Sequence, residues 1–373
     1  MKNIFTWLKI IDCTKVFSWP FASRYFADYW AEVIKIEWLE NFDESRNFTP
    51  LKNWKSWYFE ILNRWKKGIT LNLKIKSDLN IFYSLIKESD IFLENFSPKI
   101  KQKLKIDYET LSKINPRLIY WSLNWYWENF DKKAYDVIIQ AESWLASLNW
   151  EIKPMKNATA IIDTFSWLTL SLAITSLLYK REITWKWDFV NIPMIASWIQ
   201  LLEQNLVETS IKWQNPILTW NHDNAIFPFW FFEAKNGRIA IAIWNDNLWQ
   251  IFTKNIIPEL NWKYNSNQQR LDNKTLLISI LENTFKNYSK EDLNKILDDF
   301  WIPNWKINTM QDLLNDEYLY ENNFIKKINH KELWEITIPY EFIKYKSYNI
   351  EEIKNAPNLW ENNKDYNIKK ENE

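Results

Sequence analysis

Residues 8–12 (LKIID), 21–29 (FASRYFADY) and 31–37 (AEVIKIE) form the stretch that decides the fold. The first and third segments are short apolar runs that predict β-strands. The middle segment follows the turn residues Ser18-Trp19-Pro20 and predicts a helix. Strand, helix and strand within about 30 residues make a βαβ unit, whose two strands lie parallel in one sheet.

The same alternation continues through the N-terminal half of the chain. Further strands are predicted at residues 69–73, 91–93, 117–120 and 189–193, and helices at 79–88, 100–114, 165–179 and 195–208. This pattern predicts an α/β fold with a Rossmann-like, doubly wound parallel sheet. Ligands of such sheets bind beyond the carboxyl ends of the strands, so the loops after residues 12, 73, 93 and 122 are candidate binding loops.

A second, smaller α+β domain is predicted further along the chain. Residues 231–242 resemble a hairpin around Asn236-Gly237, a strong hairpin signal, and residues 248–256 and 274–285 predict helices. We therefore divide the chain into a large domain (1–210), a polar linker (211–224), the small domain (225–315) and a polar C-terminal segment (316–373).

The overall composition narrows the possible partners. The 47 basic and 47 acidic side chains cancel, which argues against nucleic acid or an acidic membrane surface as a partner. The single cysteine, Cys13, excludes an internal disulfide framework and fits a reducing compartment. We see no secretory leader, no apolar run of membrane-spanning length and no cluster with metal-ligand spacing. These features predict a cytoplasmic protein without a metal.

One feature of the composition is abnormal, because the 373 residues include 2 glycines and 26 tryptophans. Average usage would give roughly 26 glycines. Many of the tryptophans stand in tight polar turns, which favour a residue that tolerates positive φ. We hypothesise that UGA codons meaning glycine in the source organism were translated as tryptophan. The alternative is a tryptophan-rich binding surface. The recoding hypothesis predicts glycine-type positions at Trp19, Trp30, Trp125, Trp127, Trp185 and Trp187, with Trp249 a genuine tryptophan.

Asp163 is the residue that the pattern places most conspicuously. It comes two residues before the predicted helix 165–179, so it can act as the N-cap and accept backbone N–H groups. The positive end of the helix dipole would then keep its carboxylate ionised. From spacing alone two roles stay open, a structural cap and a reactive carboxylate.

In order, the motifs of the chain resemble those of the class III coenzyme A transferases, the family of formyl-CoA and carnitine CoA-transferases. The similarity assumes glycine at several written tryptophans and spans nearly the whole chain. The segments that carry it are residues 10–14, 19–22, 27–37, 63–67, 69–74, 94–98, 115–120, 135–136, 140–144, 162–163, 237–242, 245–249 and 356–361.

The resemblance implies a fold and a reaction. It implies a ring-shaped protomer, an interlocked homodimer and a large domain completed by the C-terminal residues 316–373. Asp163 matches the family's nucleophile, which attacks an acyl-CoA thioester to form an aspartyl-acyl anhydride and then aspartyl-CoA. Acyl-CoA and a carboxylic acid are then the substrates, with no permanently bound cofactor.

The resemblance also implies which residues contact coenzyme A. They are Val16, Phe17, Ser18, Leu71, Asn72, Leu73, Lys74, Asn95, Phe96, Ser97, Lys103, Lys133 and Tyr135. Lys74, Lys103 and Lys133 would meet the nucleotide phosphates as point charges. Two positions depart from some family members, since Phe17 replaces a polar residue near the acyl group and Trp38 replaces an arginine.

Two other functions remain open. A racemase of the same fold, acting on α-methylacyl-CoA, would need a histidine immediately before Asp136, where this chain has Tyr135. The chain's two histidines, His222 and His330, lie outside that motif, and tyrosine is a poor base near neutral pH. A non-catalytic scaffold that binds CoA or a nucleotide would keep the Rossmann turns but would not need Asp163.

Overall fold

The computed structural model describes residues 4–124, 126, 134–148, 154–185, 187–215, 223, 225–331, 333–341, 343–348 and 353–368. Within these residues the strands are β1 (Lys9–Asp12), β2 (Glu32–Glu37), β3 (Leu51–Lys52), β4 (Lys55–Ser56), β5 (Lys67–Thr70), β6 (Ile91–Glu94), β7 (Ile119–Asn124), β8 (Phe189–Pro193), β9 (Phe229–Ala234), β10 (Gly237–Ala242), β11 (Asn304–Lys306), β12 (Ile325–His330) and β13 (Trp334–Pro339). The helices are α1 (Ser18–Asp28), α2 (Trp57–Asn63), α3 (Lys76–Lys87), α4 (Pro98–Leu104), α5 (Tyr108–Ile114), α6 (Asp136–Glu142), α7 (Leu145–Leu148), α8 (Ile161–Thr184), α9 (Met194–Leu201), α10 (Glu203–Lys212), α11 (Asp246–Ile256), α12 (Asn267–Asp272), α13 (Lys274–Phe285), α14 (Lys290–Asp299), α15 (Met310–Leu314) and α16 (Glu317–Glu321).

The central sheet confirms the predicted parallel α/β arrangement. Its strand order is β5-β2-β1-β6-β7-β8, and every neighbouring pair is parallel. The chain builds outward from β1 in one direction and then returns to build from β6 in the other. This is the Rossmann strand order, and the reversal between β1 and β6 is where such sheets bind ligands.

Both faces of this sheet are buried, as expected for parallel strands covered by helices. Successive residues of β1 point to opposite sides. Ile10 joins one apolar cluster, together with Val33 and Trp121. Ile11 joins a second cluster on the other face, together with Ile34. The apolar runs read from the sequence are therefore strands buried on both faces.

The described residues form two compact units. Those up to Gln214 and from Tyr318 onward make the first unit, which contains the central sheet, and those from Asn215 to Glu317 make the second. In the second unit β9, β10 and β11 form an antiparallel sheet over a separate apolar core. The predicted hairpin is present, but its turn lies at Lys235 and Asn236, and Gly237 already pairs with Ala234.

Two predicted helices are each divided in the structure. The segment 100–114 contains α4 and α5, because Lys105 adopts a left-handed conformation and Asp107 caps the second helix through Thr110. The segment 195–208 is likewise split at Leu202 into α9 and α10. Neither break contains a glycine or proline, so the apolar period alone could not reveal it.

Helix α8 is long and apolar enough to cross a membrane when judged by length and composition, with a mean hydropathy of 1.6. The expectation that the sequence has no such run is therefore wrong. The helix is nevertheless a packing element of the first unit, since 44% of that apolar window is buried. Ile162, Leu170 and Ile174 belong to the core on one face of the central sheet.

Many tryptophans occupy backbone positions that normally require glycine. Ten described tryptophans have φ between 52° and 75°, the left-handed region that a bulky L-residue avoids. They are Trp30, Trp54, Trp65, Trp144, Trp185, Trp213, Trp262, Trp301, Trp334 and Trp360. The expectation for Trp30 and Trp185 is met. The expectation for Trp19 and Trp187 is wrong, because Trp19 lies inside α1 and Trp187 has no positive φ. Trp125 and Trp127 lie outside the described residues.

Two of these tryptophans sit at the glycine position of a helix C-terminal motif. After α1, the N–H groups of Trp30 and Ala31 donate to the carbonyls of Ala27 and Phe26. After α14, Trp301 and Ile302 repeat the same pattern on Asp298 and Leu297. This paired bonding is the Schellman motif, whose left-handed residue is usually glycine.

Candidate active site

Asp163 lies in the first turn of α8, next to the loop that follows β1. It is the third residue of the helix and is 7% exposed. The hydroxyl of Ser18, in the first turn of α1, donates a hydrogen bond of 2.6 Å to the backbone carbonyl of Asp163. The candidate nucleophile is therefore beside the carboxyl end of β1, where the strand order reverses.

The prediction that Asp163 caps α8 is wrong. The N-cap position belongs to Ala160, whose side chain makes no capping hydrogen bond. The N–H groups of Ile162 and Asp163 instead donate to Oδ2 of Asp136, at 3.1 and 3.4 Å. The apolar repeat was misleading because the helix begins a full turn before Phe165, which places Asp163 inside it.

The surroundings of the Asp163 carboxyl favour its neutral form. Its Oδ1 is buried and accepts no hydrogen bond from the residues that the structure describes. Burial, and then the negative charge of Asp136, raise the pKa of Asp163 to about 8. The expectation that the helix dipole keeps this carboxylate ionised is therefore wrong, because the carboxyl is mostly protonated at pH 7. A shift of this kind marks a candidate reactive group.

Aromatic side chains around the start of α1 pack against α2 and against α8, one turn beyond Asp163. The ring of Phe17 lies 5.7 Å from that of Tyr58, and Phe21 stacks on Trp167 at 4.4 Å. Burial raises the pKa of the Tyr58 hydroxyl, and the charge of Asp163 raises it further. The sequence did not single out Tyr58, since only the fold brings it near enough to Asp163 for the two to interact electrostatically.

Two buried ion pairs hold the loops at this end of the sheet. Asp12, the last residue of β1, accepts hydrogen bonds from Lys66 at 2.9 Å and from Ser23 at 2.6 Å. Burial alone would raise the pKa of Asp12, but Lys66 and Lys35 lower it to about 2. Lys35 pairs with Asp43 at 2.9 Å, and neither side chain is exposed.

The predicted CoA-binding loops converge partly on this end of the sheet. Asn95, after β6, bridges to the loop after β1, because its amide group accepts from the Lys15 N–H at 3.3 Å and donates to the Lys15 carbonyl at 3.2 Å. Val16, next in that loop, has φ 77° and donates its N–H to Asp43 at 3.1 Å. Phe96 donates its N–H to Glu94 at 2.7 Å, and Ser97 is the N-cap of α4.

In the loop after β5, two of the residues predicted to contact CoA have buried side chains. Leu71 and Leu73 are 1% and 3% exposed and belong to the core, so their side chains do not face a ligand. Asn72 accepts the N–H of Lys74 at 3.1 Å and thereby shapes the turn. The Lys74 ammonium lies 5.7 Å from the ring of Trp38.

The remaining residues that were predicted to contact CoA lie in different parts of the chain. Lys103 is exposed on α4, and Tyr135 is 64% exposed immediately before Asp136. Lys133 lies outside the described residues, as does His222. His330 contacts the carboxylate of Glu60 at 3.1 Å, in a buried cluster far along the chain from the Asp163 motif. Within the described ranges, no group of His, Cys, Asp or Glu could hold a metal ion.

Comparison with known proteins gives a consistent result. The model of CoA-transferase family III matches residues 7–363. The chain is 28% identical to succinyl-CoA:glutarate CoA-transferase of Mus musculus, over 94% of this chain and 83% of that protein. It is 32% identical to acetyl-CoA:oxalate CoA-transferase of Acetobacter aceti, over 75% of each. A crystal structure of a CAIB/BAIF family protein from Brucella suis superposes with a TM-score of 0.84 and 25% identity, covering 96% of this chain and 97% of that one.

The raised pKa of Asp163 predicts that Asp163→Asn stabilises the protein at neutral pH. The unfolded carboxyl ionises near pH 4, whereas the folded carboxyl keeps its proton up to about pH 8. Stability is therefore lost as pH rises between these values, by up to roughly 4 kcal/mol at pH 7. Urea unfolding at pH 5 and pH 7.5 should show a gain from Asp163→Asn that is larger at pH 7.5.

Asp188→Asn is the matched control for this measurement. The Asp188 carboxylate accepts a hydrogen bond from Lys180, which lowers its pKa. Its substitution should slightly lower stability at neutral pH, the opposite sign. A gain from Asp163→Asn that does not change between the two pH values would contradict the assigned burial.

Proposed function

The chain belongs to CoA-transferase family III, and from this premise we propose that it transfers coenzyme A through covalent intermediates on Asp163. The donor is an acyl-CoA thioester and the acceptor is a free carboxylic acid. The observation that carries the proposal is the buried Asp163 carboxyl beside the switch point of the sheet. One of its oxygens, Oδ1, accepts no hydrogen bond from the described residues.

The proposed reaction begins when Asp163 loses its proton to solvent. Its carboxylate oxygen attacks the thioester carbonyl, the carbon–sulfur bond breaks, and CoA leaves as a thiolate. The thiolate then attacks the aspartyl carbonyl of the mixed anhydride, which releases the first acid and forms aspartyl-CoA. An incoming carboxylate attacks the carbonyl of aspartyl-CoA, which forms a second mixed anhydride and releases the thiolate. The thiolate then attacks the carbonyl of the new acyl group, and the Asp163 carboxylate leaves. One negative charge is conserved throughout, and Asp163 is regenerated.

We place the CoA nucleotide along the loops after β1, β5 and β6. Ser18 and Phe17 lie at the Asp163 end of this track, and Asn95 joins two of the loops. Leu71 and Leu73 would contribute backbone groups only, because their side chains are buried. The lysines 74, 103 and 133 and Tyr135 remain proposed contacts for the phosphates and the pantetheine arm.

The proposed acceptor is a short carboxylic acid. Glutarate and oxalate appear in the names of the two transferase relatives described above, which favours a dicarboxylate. Formate and carnitine, the acids of the subtype suggested by the sequence, belong in the same screen. Racemase activity has less support, because Tyr135 occupies the position where that reaction needs a histidine.

We also propose that the protein acts as a homodimer in the cytoplasm. The solvent side of α8 carries an apolar stripe that includes Leu168, Leu172, Tyr179 and Ile183, each at least 46% exposed. Contiguous apolar surface of this kind marks an interaction face. The interlocked arrangement rests on the family resemblance, and the buried free thiol of Cys13 fits a reducing compartment.

We infer further that most left-handed tryptophans are glycine in the protein that the source organism makes. Several of these positions combine the backbone of glycine with a strongly exposed indole side chain. Trp54, Trp213 and Trp301 are 94%, 90% and 89% exposed. Trp249 differs, since it is fully buried and its indole N–H donates to the Lys263 carbonyl at 2.9 Å.

The transferase proposal predicts exchange of labelled CoA between acyl donors and free acids, using a gene with glycine codons at the left-handed tryptophan positions. Asp163→Ala should abolish exchange, because it removes the carboxylate on which the anhydride forms, whereas Asp188→Asn should retain it. Mass spectrometry after mixing with acyl-CoA should show a covalent adduct that Asp163→Ala lacks. Retained exchange in Asp163→Ala would rule out this mechanism.

The dimer proposal predicts that Leu172→Glu, at a position 68% exposed on α8, shifts the protein towards monomer. A buried charge at an interface without a partner is strongly unfavourable. Sedimentation equilibrium measures the change. Leu276→Glu, at a leucine 51% exposed on α13, is the control and should leave the association state unchanged. If both variants show the same association state, α8 is not part of the dimer interface.

The recoding proposal predicts glycine masses at positions 213 and 301 in peptides of the native protein, and tryptophan at 249. In the chain as written, Trp301→Gly should raise the free energy of unfolding by about 1 kcal/mol, because it relieves a left-handed bulky residue. Trp249→Gly should lower it by roughly 4 kcal/mol through loss of core packing. Native peptides with tryptophan at 213 and 301 would refute the recoding.

A further inference from the structure

The candidate site contains a second carboxylate that the sequence did not mark as functional. Asp136, the first residue of α6, faces the first turn of α8 and accepts the N–H groups of Ile162 and Asp163 through Oδ2. The cap of α8 therefore comes from another helix, because Ala160 cannot supply one. The position of Asp163 depends on this contact.

The Asp136 carboxylate is itself held in place by a neighbouring side chain of α6. Its Oδ1 accepts a hydrogen bond from the side-chain amide of Gln140, one turn along α6. Gln140 is fully buried, and its carbonyl oxygen accepts the N–H of Asn157 at 2.7 Å. Both carboxylate oxygens of Asp136 thus accept N–H donors, whereas Oδ1 of Asp163 accepts none from the described residues.

We propose that Asp136 is the positioning residue of this active site, because it fixes the first turn of α8 and places a negative charge against the Asp163 carboxyl. This inference rests on the proposed function of Asp163 as nucleophile. Attack on the thioester moves the negative charge from the Asp163 oxygen to the CoA sulfur as the carbon–sulfur bond breaks. The repulsion between the two carboxylates is relieved in that step, which favours anhydride formation.

Among the residues that the structure describes, the other elements packed around Asp163 place no positive group against its carboxyl that would offset this repulsion. From α2 the neutral hydroxyl of Tyr58 is near enough to interact electrostatically with Asp163, and from α1 the hydroxyl of Ser18 bonds to the Asp163 backbone carbonyl. Arg24, also on α1, lies over the Phe21 ring and is paired with Asp28 at 3.4 Å. Among the described residues, Asp136 is the charged group that acts on Asp163, consistent with the raised pKa of Asp163.

The test separates the charge of Asp136 from its capping oxygen. Asp136→Asn keeps an acceptor for the N–H groups of α8 but removes the charge. We expect the acid limb of the pH profile of kcat/KM for CoA exchange to move down by about one pH unit. Asp136→Ala removes the cap as well and should lower kcat about tenfold. The control variant Asp188→Asn, which removes a carboxylate outside the site, should leave the pH profile unchanged.

A second part of the test measures protein stability and does not depend on enzymatic activity. The stabilisation gained by Asp163→Asn at pH 7.5 should be clearly smaller in an Asp136→Asn background than in the wild type, because the repulsion is already gone. If Asp136→Asn folds poorly, Asp136→Ser can be used in place of that variant, because serine also supplies a capping oxygen without a charge. Equal gains in both backgrounds would overturn the coupling even if exchange depends on Asp163. Conversely, absence of exchange with coupling intact would overturn the transferase mechanism alone.

Discussion

A buried carboxylate at the end of the first strand holds the active-site end of the sheet together. Asp12 contacts the ammonium of Lys66, the hydroxyl of Ser23 and the backbone N–H of Thr14, and it is inaccessible to solvent. These contacts join the loop after β1, the helix α1 and the segment before β5. An unpaired charge at this depth would cost about 3–5 kcal/mol, so the pair, together with the Ser23 hydrogen bond, holds α1 against the end of β1. Ser18, and through it Asp163, takes its position from that point.

The candidate site shows how one kind of side chain is given different properties by its surroundings. Asp12, Asp136 and Asp163 are all aspartates near one end of the sheet. Lys66 and Lys35 keep Asp12 ionised, and two helices supply N–H donors to Asp136. Asp163 receives neither a cation nor a donor from the described residues, and its pKa rises to about 8. A carboxyl left in this state lowers stability, and such costs are typical of catalytic groups.

At the left-handed tryptophans, the backbone conformation is set by hydrogen bonds of the main chain and does not depend on the side chain. The chain turns at Trp30 and Trp301 because the carbonyls of the preceding helices need N–H partners, whatever side chain is present. A tryptophan there adds strain but does not change the turn, and at Trp301 it also adds an exposed ring. Trp249 fills a core and satisfies its indole N–H, as an ordinary tryptophan does. Backbone conformation therefore distinguishes the tryptophans at left-handed positions from those, such as Trp249, that pack in a core. The tryptophan count alone does not make this distinction.

The sequence by itself determined the parallel sheet, because apolar runs such as Ile10-Ile11 and Val33-Ile34 can only be buried between two layers of helices. It also singled out Asp163, through motif order more than through spacing. Only the tertiary structure decided which group caps α8 and whether Asp163 is charged, because Asp136 lies 27 residues earlier along the chain. Desolvation and the approach of two carboxylates depend on packing between helices, and no local pattern records either of them.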